Sequence, residues 1–307
     1  MSQVRTIGPH FRRVTFSGEG LEWFSTHGHD QRIKLLFPLD DGYLTDVGAR
    51  DPEVILGGTW YERWRAAPPS KRSPLRTYTV RAARPDQREV DVDMVVHGDG
   101  GPASRWVAQA EPGQRLVLIG PDARSHDYAS GADWAPGGAT ELLLAGDETA
   151  APAICSILES LPPRRRAQAF IEVPDAGDVL DVAVPPSARI TWLPRGEHPH
   201  GHELLPAVRS WARANASVLN RARAVVNQDL EDVDVDTALL WDSPVLQVQP
   251  VDSCGRGERC GTDFYAWFAG EAAVIKTLRR LLVSKVGVCR RRVAFMGYWR
   301  LGRSEGP

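Results

Sequence analysis

Arg76, Tyr78 and Thr79, within the run Arg76-Thr77-Tyr78-Thr79-Val80-Arg81, bring together three chemistries that suit a dinucleotide. A guanidinium grips pyrophosphate through forked, charge-assisted hydrogen bonds, a tyrosine ring forms an apolar wall, and a threonine hydroxyl reaches a ring nitrogen. If 76 to 81 is one strand, Arg76, Tyr78 and Val80 share one face, and Thr77, Thr79 and Arg81 share the other. A ligand across the strand end then meets both rows. Further on, His97-Gly98-Asp99-Gly100-Gly101-Pro102-Ala103-Ser104 reads as a glycine-rich turn entering a helix, where free amides favour a phosphate. Each run alone is also an ordinary strand or turn. In this order the two outline a clamp for a flavin dinucleotide.

A second set of candidates lies in the C-terminal half. Ala145-Gly146-Asp147-Glu148-Thr149-Ala150-Ala151-Pro152 falls where a strand ends and a helix begins, and Ala269-Gly270-Glu271 repeats that setting. Such crevices in parallel sheets bind phosphate or a nicotinamide ribose. The first run reads equally as a helix cap through Asp147 or Thr149. Glu172 and Asp175 follow the next strand, where a carboxylate binds ribose hydroxyls, and Arg195 follows the third, where a guanidinium accepts a 2′-phosphate. The two point in opposite directions on nucleotide choice. Gly297-Tyr298-Trp299-Arg300-Leu301-Gly302 either covers core surface or folds back beside a flavin.

His97 reads as a solvated turn residue or a flavin contact. His198, His200 and His202 alternate and read first as a loop, with adventitious metal chelation the sharper alternative. Of the four cysteines, Cys155, Cys254, Cys260 and Cys289, none forms a paired metal-binding spacing, and Cys254 and Cys260 read as reduced thiols in a glycine-rich turn. Arg65, Lys71, Arg72, Arg300 and Arg303 flank the flavin segments and could form a local cationic mouth for an anionic substrate.

The elements that must position these residues fall into two patterns. Arg12 to Phe16, Arg32 to Phe37, Thr77 to Ala82, Glu89 to Val96 and Arg115 to Ile119 read as short strands of an antiparallel barrel. In that part Ala103 to Ala110 is the one helical pattern, and Ala66 to Pro74 reads as an exposed loop. From about residue 139 the rhythm changes to strands at 141–145, 167–173, 189–193, 264–269 and 293–296, alternating with helices at 151–161, 204–214 and 271–283. That alternation implies a parallel sheet. The expected domains are therefore 1–138, an antiparallel barrel, and 139–307, an α/β nucleotide-binding domain. An insertion at 215–263, with its own small structure or acting as a lid, interrupts the second.

Composition excludes several classes. In 307 residues, 37 Lys and Arg against 39 Asp and Glu leave a net charge of −2, with no global field to draw in nucleic acid. Met1 to Thr15 holds no apolar run of export-signal length and no stretch reaches membrane-spanning length, so the expected location is the cytoplasm.

Taken in order, the Arg76–Arg81 run, His97-Gly98 with Gly101 to Trp106, Gly146-Asp147-Glu148-Thr149, Ala269-Gly270-Glu271 and Gly297-Tyr298-Trp299-Arg300 resemble the siderophore-interacting proteins, flavin-dependent ferric-siderophore reductases of the ferredoxin reductase superfamily. The resemblance implies an FAD-binding barrel, a nicotinamide-nucleotide domain, and reduction of Fe(III) in a siderophore at the expense of NADPH or NADH, with a slight preference for NADPH. It assigns Arg76, Tyr78, Thr79, His97, Gly101, Pro102, Ala103, Ser104 and Thr149 to FAD, and Gly146, Asp147, Glu148, Gly270 and Glu271 to the nicotinamide nucleotide. Thr79 is placed near the reactive ring and Thr149 near both cofactors. Arg65, Lys71, Arg72 and Arg300 are the candidates for the ferric complex; no acid–base residue and no resident metal is required. The alternatives are a flavin or quinone reductase with another acceptor, or a non-catalytic binding protein. Departures from the family pattern are the long 215–263 segment and an early start that trims the first strand.

Overall fold

The structure, a computed structural model, describes residues 1–25, 29–96, 101–125, 131–225, 228, 230, 233–235, 240–244 and 263–302. It divides into two compact units, Met1–Ala132 and Asp133–Arg303.

The first unit contains β1 (Gln3–Gly8), β2 (Phe11–Ser17), β3 (Arg32–Leu36), α1 (Pro52–Gly57), α2 (Trp60–Ala66), β4 (Leu75–Thr79), β5 (Ala82–Arg84), β6 (Glu89–Val95), α3 (Pro102–Ala108) and β7 (Val117–Ile119). Its strands form two antiparallel sheets, in the orders β1-β2-β6-β5 and β4-β3-β7. Both sheets close over one core that includes Val14, Leu35, Phe37, Val80, Val90, Val92 and Met94, with Val107 of α3 packed into it. This is the expected barrel-like architecture, and it begins with β1 at Gln3–Gly8.

Two details correct the sequence reading. The strand expected over 77–82 is two strands in different sheets: β4 ends at Thr79, and the chain crosses between sheets as the Val80 amide bonds Gln31 and the Arg81 amide bonds Asp91. Face alternation therefore holds only to Thr79. The second correction is the helical pair α1 and α2. Asp51 caps α1 ahead of a proline at its first turn, a local signal that was available in the sequence.

On β6 the alternation is strict. Val90, Val92 and Met94 are fully buried, while Asp91 and Asp93 point the other way into a ladder of cations. Arg13 grips Asp93 at 2.6 and 2.7 Å, and Asp91 accepts two bonds from Arg84 at 2.8 Å and one from Thr15 at 2.8 Å. Burial pushes the Asp91 pKa up, but the hydrogen bonds from Arg84 and Thr15 overcome it and hold the carboxyl below its ordinary value. A folded pKa below the unfolded one gives stability that is complete above the unfolded carboxylate value and lost as pH falls through the folded one. Asp91→Asn is expected to cost about 2 kcal/mol at neutral pH and to flatten this part of the acid loss, measured by denaturant unfolding from about pH 7 to pH 3.

The second unit contains β8 (Glu141–Gly146), α4 (Ala151–Glu159), β9 (Arg166–Val173), β10 (Ala188–Pro194), α5 (Leu204–Ala214), α6 (Ala216–Arg221), β11 (Trp241–Asp242), β12 (Phe264–Glu271), α7 (Ala272–Arg279) and β13 (Val293–Trp299). The sheet order is β10-β9-β8-β12-β13-β11, parallel except for β11, which runs antiparallel at one edge. Every residue of β12 is buried, as a central strand covered on both faces requires. From β8 the chain winds outward through β9 and β10, then returns to place β12 on the other side of β8. The β8/β12 boundary is thus the topological switch point, where open α/β sheets leave a crevice beyond their carboxyl ends.

The 215–263 segment begins as α6 and supplies the edge strand β11; most of its remainder, with Cys254 and Cys260, lies outside the described residues. Cys155 and Cys289 are buried and not joined in a disulfide.

Candidate functional site

In the first unit the candidate residues line β4 and the start of α3. Arg76 is half-buried, and its one side-chain hydrogen bond among the described residues goes to the adjoining Leu75 carbonyl at 2.8 Å. It has no carboxylate partner there, unlike Arg13 and Arg84. Tyr78 packs edge-on to Phe37, with ring centroids 6.3 Å apart. Thr79 is 6% exposed, and its hydroxyl has no hydrogen-bond partner among the described residues. Gly101 adopts φ +135°, a conformation that favours glycine, and a Cβ there would meet nothing within 4 Å. As the residue before α3 it brings no side-chain cap to the first-turn amides, which belong to Ala103 and Ser104, Pro102 having none. An uncommitted guanidinium, a hydroxyl without a partner and an uncapped turn beside open space fit a phosphate-bearing flavin. His97 lies outside the described residues.

The cationic candidates are each held by neighbours within their own unit. Arg72 donates to the Arg65 carbonyl at 2.7 Å and to the Ala67 carbonyl at 2.8 Å and lies over Trp64, so it caps the carboxyl end of α2. The Ala66 to Pro74 loop is correspondingly tied down, with Ser73 fully buried and its carbonyl bonded to the Trp64 indole. Lys71 and Arg65 face the Tyr43 and Tyr61 rings, each at 6.0 Å. Arg300 belongs to the second unit, where it donates to the Val235 carbonyl.

In the second unit the candidates converge at the switch point. Asp147, 3% exposed, accepts four hydrogen bonds: from the Thr149 amide (2.9 Å) and hydroxyl (2.5 Å), the Glu271 amide (2.7 Å) and the Trp299 indole (2.9 Å). One carboxylate thus ties the ends of β8, β12 and β13 to the start of α4. The Thr149 and Glu271 amides are thus engaged by Asp147 in this structure. The Thr149 hydroxyl is engaged in the same knot.

The glycines here serve close packing. A Cβ on Gly146 would sit 2.5 Å from both Ala150 Cβ and the Ala269 carbonyl, and one on Gly270 would strike the Asp147 carboxylate at 2.6 Å. Glu271 caps α7 through the Ala273 and Val274 amides at 2.8 and 3.0 Å. Trp299 belongs to this knot, and Tyr298 stacks on Trp241 with centroids 5.8 Å apart, so the terminal aromatic pair is built into the sheet end.

Glu148 is fully buried and forms a forked pair with Arg195 at 2.7 and 2.8 Å. Burial pushes the Glu148 carboxyl up, only partly offset by Arg195; for Arg195, the hydrogen bonds and charge of Glu148 outweigh burial and raise its pKa further. Glu172, also fully buried, accepts from the amides of Gly201, Glu203 and Leu204 and so caps α5. Asp175 caps a short turn through Gly177. Both carboxylates expected near a ribose thus accept backbone amides of neighbouring turns.

Sequence reasoning missed His200. His198 and His202 stack face to face at 4.1 Å, whereas His200 turns away, meets Trp299 edge-on at 4.7 Å, and lines a crevice with Asp147, Glu172, Gly270 and Glu271. The alternation was visible; which of the three would turn inward was not.

Residues 1–125 match the family model described as siderophore-interacting FAD-binding domain, and residues 139–302 the model described as siderophore-interacting protein. An uncharacterized protein of Mycobacterium tuberculosis is 32% identical over 98% of this chain and 89% of its own. Ferric vibriobactin reductase ViuB of Vibrio cholerae is 27% identical over 97% of this chain and 87% of its own. The crystal structure of the siderophore-interacting protein SipS from Aeromonas hydrophila superposes with a TM-score of 0.64 at 25% identity, covering 99% of this chain and 91% of that one.

Proposed function

The chain belongs to the siderophore-interacting protein family, and from that premise we propose that it is an FAD-dependent reductase that takes hydride from NADPH or NADH and delivers electrons to Fe(III) in a siderophore. The observation that carries this reading is the uncommitted pair on β4: Arg76 without a carboxylate and Thr79 with a hydroxyl that has no hydrogen-bond partner among the described residues. Both groups are therefore available to a ligand. The reductase activity of the similar V. cholerae protein supports the choice of acceptor.

FAD, when bound, accepts the hydride pair and releases electrons singly to a metal acceptor. Arg76 would hold its pyrophosphate, Tyr78 would wall its ring, Thr79 would bond a ring nitrogen, and Gly101 to Ser104 would receive its phosphates; His97 completes the set proposed within the first unit. The second unit would hold the nicotinamide nucleotide at the ends of β8 and β12, around Gly146, Asp147, Glu148, Gly270 and Glu271. No general acid is needed. Reduction loosens the complex because Fe(II) matches hard oxygen ligands less well than Fe(III) does. Of the cationic residues, Arg65 and Lys71 remain the candidates to attract an anionic chelate; Arg72 and Arg300 are engaged with carbonyls. No helix among the described residues is long and apolar enough to cross a membrane, and we place the reaction in the cytoplasm, where nicotinamide nucleotides are kept reduced.

Anaerobic addition of NADPH or NADH to the FAD-loaded protein should bleach the flavin, and a ferric siderophore should restore the colour with Fe(II) captured by a ferrous chelator. Absence of bleaching would sink the reductase reading; bleaching with reoxidation by quinone but not by the ferric complex would sink the acceptor. Because Glu172 and Arg195 are both engaged, NADH and NADPH should differ in kcat/KM by no more than about tenfold.

A further inference from the structure

Among the described residues eight large apolar side chains are exposed, and four of them, Tyr43, Ile55, Leu56 and Tyr61, fall in one stretch of the first unit. Scattered exposed apolar residues are ordinary, but a concentration of them marks a surface with a use. The two tyrosines, 40% and 42% exposed, each carry a cation over the ring: Lys71 over Tyr43 and Arg65 over Tyr61, both at 6.0 Å. Lys71 and Arg65 are themselves exposed, and neither has a carboxylate partner among the described residues. Arg63 of α2, by contrast, is paired with Asp51 at 3.1 Å.

One frame holds both pairs. The Thr45 hydroxyl donates to the Lys71 carbonyl at 2.7 Å and the Thr45 amide to the Ser73 hydroxyl at 2.9 Å, which ties the Tyr43 segment to residues 71–73. The Arg72 guanidinium and the Trp64 indole donate to the Arg65 and Ser73 carbonyls, at 2.7 and 2.9 Å, which ties the same residues to α2. Tyr61 stacks on Trp64 with centroids 5.6 Å apart and meets Trp60 edge-on at 5.5 Å. A platform fixed in this way lowers the ordering cost of binding on it. Beneath it Trp64 packs with Leu36, Val47 and Leu75. Leu75 starts β4 and shares its face with Thr77 and Thr79, so the platform stands on the strand face that ends at Thr79, about 13 Å along from Leu75.

An exposed ring beside a cation without a carboxylate suits a ligand that is both flat and anionic. The iron-binding groups of siderophores differ on both counts. A catecholate is an aromatic dianion, so its ferric complex keeps a net negative charge; a hydroxamate is a monoanion without a ring, and its ferric complex is neutral. Resting on the reading that this chain reduces ferric siderophores, we propose that its substrate class is the catecholate one, the aryl rings of the chelate lying against Tyr43 and Tyr61 and its charge meeting Lys71 and Arg65.

The test is calorimetric binding to the full-length, FAD-loaded, oxidised protein without nicotinamide nucleotide, so that no turnover enters. Ferric enterobactin is the catecholate probe and ferrichrome the neutral hydroxamate probe. Wild type should bind ferric enterobactin more tightly by about 10-fold or more. The double variant Tyr43→Leu/Tyr61→Leu keeps apolar area but removes the rings; it should weaken ferric enterobactin about 10-fold and leave ferrichrome within about twofold. Arg65→Gln/Lys71→Gln should do the same and also flatten the salt dependence of binding. Each variant is checked for an unchanged circular dichroism spectrum and melting profile. Tyr43 stacks on no other ring among the described residues, so Tyr43→Leu alone carries the test where Tyr61→Leu loosens α2. Equal affinity for the two chelates, unchanged binding in both double variants, or equal losses for both chelates would each overturn the assignment. Wild type that binds neither chelate, and whose reduced flavin neither reoxidises, would instead remove the ferric-siderophore reading, and the assignment with it.

Discussion

Arg76→Ala is expected to weaken FAD binding by roughly 100-fold while leaving the melting temperature of the apoprotein nearly unchanged. A forked guanidinium–pyrophosphate contact is charge-assisted, and such bonds are worth about 1.5–3 kcal/mol each, so losing one or both arms spans the range around 100-fold. Stability should hardly respond, because the side chain's described hydrogen bond goes to the carbonyl of the preceding residue. Arg76→Lys should recover only part of the affinity, since a lysine keeps the charge but cannot present the fork. Thr79→Val, nearly isosteric, should weaken FAD by a smaller factor and shift the visible flavin spectrum, because it removes a hydroxyl beside the ring. Flavin fluorescence titration measures all three. A loss in Arg76→Ala matched by an equal fall in apoprotein stability would assign the residue to the barrel instead of the cofactor.

The second large effect lies in the other unit. Arg195→Met should destabilise it by about 3–5 kcal/mol, lowering its melting temperature by roughly 10 °C, because it strands the buried Glu148 carboxylate. The double variant Glu148→Gln/Arg195→Met should recover much of that loss, since no charge is then left buried. The pH dependence has a definite sign. Burial already raises the Glu148 carboxyl, and removing its cation raises it further. A folded pKa above the unfolded one means that the native state holds the extra proton, so Arg195→Met should gain stability as pH falls through that folded value. Denaturant unfolding of both variants between about pH 8 and pH 5 measures it. A single variant as stable as the wild type would mean that the pair contributes nothing to the sheet end.

The contrast between these two arginines also shows how much could be read without the fold. Both lie on or just after strands, both are fixed cations suited to phosphate, and nothing local distinguishes them. Arg76 lies on β4, an edge strand of a different sheet from the acid-bearing β6, and stays uncommitted among the described residues. Arg195 ends β10, and its partner Glu148 lies 47 positions earlier in the chain, so the pair exists only because β8, β9 and β10 are laid side by side. Glu172 is a similar case: at the end of β9 it has the residue type and position of a ribose ligand, but the amides of the 201–204 turn reach it first.

The antiparallel barrel, the parallel sheet, most strands to within a residue or two, and the ordered motifs of the siderophore-interacting family were legible in the chain, because alternation, apolar runs and glycine punctuation are local properties. The division of residues 77–82 between two sheets was not, since a strand keeps its local pattern when it changes partners. Nor was the role of Asp147. The sequence shows an acid at a strand end, suited equally to a cap or a ligand site; only the meeting of β8, β12 and β13 supplies the Glu271 amide and Trp299 indole that make it a knot. Residue types determined which chemistry this protein has available. Tertiary structure decided which groups that chemistry is left to, because a buried donor or acceptor bonds to whatever the fold brings within reach, and the groups left without such a partner are those available to a ligand.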